Sequence, residues 1–178
     1  MADPDQHWFQ WLKDELTGQQ IEVSVPALPE PAAPDLDAWV IAASAAIGDL
    51  NDDLVIVGHS AGCITAVKVL ESRGVDETIG GLVMVSGFDQ GLPTLPELAG
   101  FTRTAPDYAR LNRRVRVRSV ISSDNDEIVA PEATEMFARN LDARLTVVPG
   151  GGHFLGADGF VTLPAAAEEV RRALGPQL

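Results

Sequence analysis

Apolar residues recur along this chain at two different spacings, and the alternation between them outlines a fold. In residues 7–16, Trp8, Trp11, Leu12 and Leu16 fall at helical spacing, with Gln10, Lys13 and Glu15 on the other face, so a helix is expected there, ended by Gly18. A β-branched run from Ile21 to Val25 predicts a short strand. The connector after it holds Pro26, Pro29, Pro31 and Pro34, which neither a helix nor an inner strand can accommodate. Asp35 or Asp37 is placed to cap a second helix carrying Trp39, Val40, Ile41 and Ile47. Apolar runs at Leu54–Val57, Leu82–Val85, Val115–Ile121 and Leu145–Val148 predict further strands, and residues 61–73, 131–141 and 164–174 predict helices, with Pro131 in a first turn. Residues 87–112, punctuated by Gly87, Gly91, Pro93, Pro96, Gly100 and Pro106, predict a long loop with one short helix, in a position where loops often wall a cleft. Strands that alternate with helices imply an α/β protein: a three-layer, mostly parallel sheet covered by helices on both faces.

Composition narrows the function. A chain of 178 residues, 46 % of them hydrophobic, is the size of one domain spanning 1–178 with a single core. The charge of −13, from 26 acidic and 13 basic residues, opposes binding to nucleic acid or to an anionic membrane, where affinity rests on neutralising phosphates. The single cysteine, Cys63, has no partner for an internal disulfide, and no Cys/His cluster has zinc-ligand spacing, so no metal is expected. No cationic stretch leads into an apolar one at the start of the chain, and no apolar segment is long enough to span a bilayer. These features together predict a cytoplasmic protein.

The chemistry is concentrated at Leu54-Val-Ile-Val-Gly58-His59-Ser60-Ala61-Gly62-Cys63, where an apolar strand runs into G-x-S-x-G and then into a helix. This is the context of a nucleophile elbow, a strained turn that lifts a serine hydroxyl above the carboxyl end of a sheet. Side chains at Gly58 or Gly62 are expected to collide with neighbouring backbone. The helix N-terminus offers unpaired N–H groups, that of Ala61 first, to a developing oxyanion. A serine needs a base, and the chain has three histidines. His7 lies on the first predicted helix, and His59, beside the serine on a sharp turn, should point elsewhere. His153 follows a strand through Pro149-Gly-Gly-Gly152 and can reach over the sheet edge. The acid should lie between Ser60 and His153 at a strand end, where Ser122-Ser-Asp124-Asn-Asp126-Glu127 offers two aspartates and a glutamate; Asp89, after the preceding strand, is a further alternative. The pattern leaves these open.

The segments GHSAGC, SSDNDEIVAPE and VPGGGHF, with His7-Trp8-Phe9-Gln-Trp11-Leu12 near the start, resemble the small serine hydrolases related to retinoblastoma-binding protein nine and YdeN, over nearly the whole chain. In that family the acid is the aspartate followed by one variable residue and an apolar pair, which here corresponds to Asp126 before Glu127, Ile128 and Val129. The resemblance thus implies Ser60, Asp126 and His153 as the catalytic residues, with Asp124 second choice for the acid. It also implies a compact α/β-hydrolase fold without a large cap domain, no cofactor, and esterase or peptidase-like activity on small acyl substrates. One departure stands out: the chain begins at Met1-Ala-Asp-Pro-Asp5-Gln-His7, where family members have already completed an apolar strand and a Gly-rich loop. That first strand, between the 21–25 and 54–57 strands, and the oxyanion N–H of its loop are expected to be absent, which leaves Ala61 as the one donor identified.

The expected reaction is acyl transfer from a small ester or amide through Ser60. The competing expectation is a catalytically weak protein-interaction module on a hydrolase scaffold, although no LxCxE-type motif occurs. Other conspicuous residues have plainer expected roles. Cys63 should be packed inside the helix after the serine. Arg113, Arg114, Arg116 and Arg118 should form the solvated or salt-bridged face of a strand. The three tryptophans should fill the helix–sheet core, and His7 should lie at the surface rather than at the mouth of the site. Gly150–Gly152 lack the lysine and spacing of a phosphate loop, so they should give His153 conformational freedom.

Overall fold

The protein is described from a computed structural model covering residues 3–175; Met1 and Ala2, on which the expectation about the start of the chain partly rests, lie outside the described residues. The elements are α1 (Phe9–Thr17), α2 (Leu36–Ile47), β1 (Val55–His59), α3 (Ala61–Ser72), β2 (Ile79–Val85), α4 (Tyr108–Arg114), β3 (Val115–Ser123), α5 (Pro131–Asn140), β4 (Arg144–Val148) and α6 (Pro164–Leu174), with single 3₁₀ turns at Pro96–Leu98 and Gly156–Asp158. The four strands are all parallel and stand in the order β1-β2-β3-β4.

Alternation along the strands sends side chains into two separate cores. Leu82, Met84 and Val120 join Trp39, Ile64, Val67, Phe101 and Phe137 on the face covered by α2, α3 and α5. Val83, Val85 and Ile121 join Trp8, Leu12, Phe154 and Val170 on the face covered by α1 and α6. β2 is buried along its whole length, as a central parallel strand must be, while β1 and β4 form the two edges. Pro131 and Pro164 stand in the first turns of α5 and α6, where the missing N–H removes no helical bond.

Two expectations require correction here. Residues 21–25 keep the predicted alternation of half-buried and exposed positions, but they form no strand, and residues 22–28 make no backbone–backbone hydrogen bond among the described residues. A period of two selects which side chains face inward; a strand also needs a ladder partner, and none is paired to this segment. Among the described residues the outer edge of β1 is likewise unpaired, and β1 and residues 21–25 both line a cavity of about 980 Å³ instead of joining one sheet. The arginines are also not one strand face. Arg113 and Arg114 close α4, and Arg114, buried, donates to the carbonyls of Leu70 and Glu77. Arg118 pairs with Asp142 at 3.1 Å, and Arg116 donates to the Ala173 carbonyl at 2.9 Å. A guanidinium saturates carbonyls at element ends as well as it pairs with acids, and spacing cannot tell the two apart.

The segment 87–112 is a loop with one 3₁₀ turn and the start of α4, as expected, and Leu95 and Leu98 from it line the cavity. Among the described residues no helix is long and apolar enough to cross a membrane.

Candidate active site

Ser60 connects β1 to α3 with φ 54° and ψ −125°, a conformation that non-glycine residues rarely adopt, and its N–H donates to the Val85 carbonyl at 2.9 Å. The turn is tight on one side only. A Cβ at Gly58 would stand 2.9 Å from Cys63 Cα and 3.1 Å from the Gly62 carbonyl carbon, whereas a Cβ at Gly62 would meet nothing within 4 Å. The expectation that both glycines avoid a collision is therefore corrected for Gly62, which lies in the first turn of α3 with its Cβ direction open. The first N–H groups of α3, Ala61's among them, have no partner inside the helix and end beside Ser60. Cys63 is fully buried as expected; burial pushes its thiol pKa up, and Sγ contacts the Val85 carbonyl.

His153 is carried by the loop after β4, and the loop after β3 holds it in place. Asp124 Oδ1 accepts the Gly150 N–H at 2.7 Å, Asn125 Oδ1 accepts the Gly152 N–H at 2.8 Å, and Ser123 Oγ donates to the Gly152 carbonyl. Gly150 and Gly152 adopt φ of 71° and 52°, so the glycines supply fixed left-handed turns rather than mobility. Asp124 is thereby occupied in supporting this loop, and Asp89 accepts from Tyr108 and Asn140.

Among the acids considered, Asp126 is the one that reaches the imidazole. Its Oδ2 lies 2.8 Å from His153 Nδ1, with both side chains buried. Its Oδ1 accepts the N–H groups of Ile128 and Val129, each at 2.9 Å, and Oδ2 also accepts from Ser86 Oγ at 2.8 Å. Burial alone would raise the Asp126 pKa; the hydrogen bond and charge of His153, with the Val129 N–H and the Ser86 hydroxyl, more than offset it and hold the carboxyl below its ordinary value. An ionised Asp126 makes Nδ1 of His153 the protonated nitrogen, so Nε2 carries the lone pair. Ser60 and His153 line the same cavity.

Sequence reasoning missed two residues. His59 points under His153 instead of away from it: its Nε2 is 2.9 Å from the His153 carbonyl oxygen and the two rings are 4.9 Å apart. Burial, then the neighbouring His153, lowers the His59 pKa to about 3, so it stays neutral and donates from Nε2. Its place inside the G-x-S-x-G motif was the available signal. Ser86 carried no signal at all, because its role depends on a partner 40 residues away. His7 is also corrected: it precedes α1, is half-buried, lines the cavity, and accepts the Gly156 N–H at Nδ1. All three histidines thus gather at one site. Among the described residues no cluster of His, Cys, Asp or Glu is arranged to hold a metal ion.

This architecture has known counterparts. Residues 1–172 match the serine hydrolase family. The protein YdeN of Bacillus subtilis (strain 168) is 35 % identical over 163 residues, covering 92 % of this chain and 86 % of YdeN. The crystal structure of the ydeN gene product superposes with a TM-score of 0.94 at 33 % identity, over 97 % of this chain and 92 % of that one. A pyrethroid hydrolase from Sphingobium faniae JZ-2, 13 % identical, covers 96 % of this chain and 94 % of its own with a TM-score of 0.67, which shows the shared α/β-hydrolase fold alone. With the family matched over nearly its whole length and a relative of one-third identity sharing its fold, this chain belongs to the serine hydrolase family, beside YdeN.

Proposed function

We propose that the chain hydrolyses a small ester or amide by two-step acyl transfer. Ser60 Oγ attacks the carbonyl carbon while His153 Nε2 takes its proton, and the Ala61 N–H stabilises the oxyanion. Collapse of the tetrahedral species breaks the bond to the leaving group, which receives the proton from Nε2. Water then attacks the acyl-enzyme by the same route, releasing the acid and restoring Ser60. Asp126 holds the Nδ1–H tautomer and stabilises the imidazolium. No metal or organic cofactor takes part in this scheme. The observation that carries it is the buried 2.8 Å contact between Asp126 Oδ2 and His153 Nδ1, on two loops that meet at the cavity containing Ser60. The cytoplasm suits a protein whose single thiol is unpaired and buried.

A fluorophosphonate probe tests this without knowledge of the substrate. Intact mass should show one adduct on the wild-type chain and none on Ser60→Ala or His153→Ala. A folded wild-type chain that takes no adduct would overturn the proposal and favour the interaction module. The observation on that side is the open outer edge of β1, with Ala61 as the oxyanion donor identified.

A further inference from the structure

Ser86, the residue immediately after β2, is completely buried and adopts φ 48°. A left-handed conformation is ordinary for glycine and uncommon for serine, and it persists only where the surroundings enforce it. They do so here from both sides. The Ser86 N–H donates to the Ile121 carbonyl at 2.9 Å, extending the β2–β3 ladder by one residue. At the next position a Cβ on Gly87 would come within 2.5 Å of the Phe137 ring and 3.0 Å of Cys63 Cβ, so the chain is wedged between α5 and α3. The turn directs the Ser86 hydroxyl to Asp126, whose Oδ2 it meets at 2.8 Å. That oxygen is the one facing His153 Nδ1.

We propose that Ser86 is a positioning residue for the acid: its hydroxyl, aimed by a strained turn, fixes the Asp126 oxygen that orients the His153 imidazole. The proposal rests on the roles given above to Asp126 and His153. Asp126 Oδ1 is anchored by two N–H groups of its own loop. Ser86 supplies the restraint on Oδ2 from another strand. A neutral hydroxyl restrains that oxygen without placing another formal positive charge beside the imidazole.

Ser86→Gly separates this role from a purely conformational one, because glycine adopts the turn without strain and lacks the hydroxyl; Ser86→Ala is the companion that keeps Cβ. The readouts are the rate constant of fluorophosphonate labelling and the low-field proton resonance of the His153 Nδ1–H. Both variants should remain folded, label about tenfold more slowly than wild type, and show the resonance moved or broadened. Labelling at the wild-type rate with an unmoved resonance in the folded Ser86→Gly chain would overturn the proposal. If the wild type itself takes no label, the acyl-transfer scheme fails separately, and the resonance alone decides: unmoved in both variants overturns the positioning role, moved in both supports it.

Discussion

Gly58 and Gly62 flank the same serine in the same motif, yet the structure gives them opposite sensitivities. Gly58→Ala forces a methyl against the backbone of Cys63 and should destabilise the chain by about 1–3 kcal/mol and distort the elbow. Gly62→Ala enters open space within a helix and should stabilise it by about 0.5–1 kcal/mol with labelling of Ser60 retained. Denaturant titration of both variants checks the contrast; equal losses would refute it. His59 gives a prediction in pH. Its folded pKa of about 3 lies below the unfolded 6.5, so between those values the unfolded chain binds a proton that the folded chain refuses. Stability therefore falls as pH drops through this window, by up to about 1.4 kcal/mol per unit from this group. His7, lowered first by burial and then by His153, acts in the same direction. His59→Gln, neutral throughout and still able to donate, should lose less stability than wild type between pH 6.5 and 4.5 in urea unfolding. A variant as acid-sensitive as wild type would exclude His59 as the source.

Elements form where local chemistry and tertiary partners agree. Asp35, rather than Asp37, caps α2, its Oδ1 accepting the Ala38 N–H at 2.9 Å. Asp35→Ala should cost about 0.5–2 kcal/mol in thermal or denaturant unfolding, and Asp37→Ala much less. The two aspartates look equivalent in sequence, since either can precede a helix; only the turn at which the chain becomes helical distinguishes them. Residues 21–25 show the reverse limit. Their alternation is clear and even governs which side chains are exposed, but a strand is defined by a neighbour and this segment has none paired to it. The helices needed no such partner to be recognised, because their ladder bonds close within the segment. The loops after β3 and β4 lie between these cases: Asp124, Asn125 and Ser123 bind the glycine run before His153, a contact across more than 25 residues that no local pattern announces.

At the scale of the whole molecule, one cavity is lined both by Ser60 and His153 and by β1, with walls that include Leu12, Leu16, Val23 and Leu98. Its volume of about 980 Å³ far exceeds an acetyl group. If acyl chains occupy it, kcat/KM for p-nitrophenyl esters should rise from acetate to octanoate by roughly two- to fourfold per methylene, following the transfer of about 0.8 kcal/mol per CH₂. A profile that peaks at acetate would show that the site uses only the mouth of the cavity. Much of this molecule was legible in the chain itself. Hydrophobic period pointed to five of the helices and the four strands of the sheet among the described residues, because those segments bury continuous faces, while α4 falls in a stretch that predicts a loop with one short helix. The elbow motif located Ser60, because a strained turn at a strand end demands a particular local sequence. The chain's pattern pointed to His153 and the family resemblance to Asp126, and the structure brings those two into contact. Tertiary structure alone decided the rest: that Ser86 and His59 contact the Asp126–His153 pair, and that residues 21–25 and β1 face a cavity. Each of these is a relation between residues far apart in the chain, set by how strands and loops are brought together, and a one-dimensional pattern records the faces that are buried but not the partners that bury them.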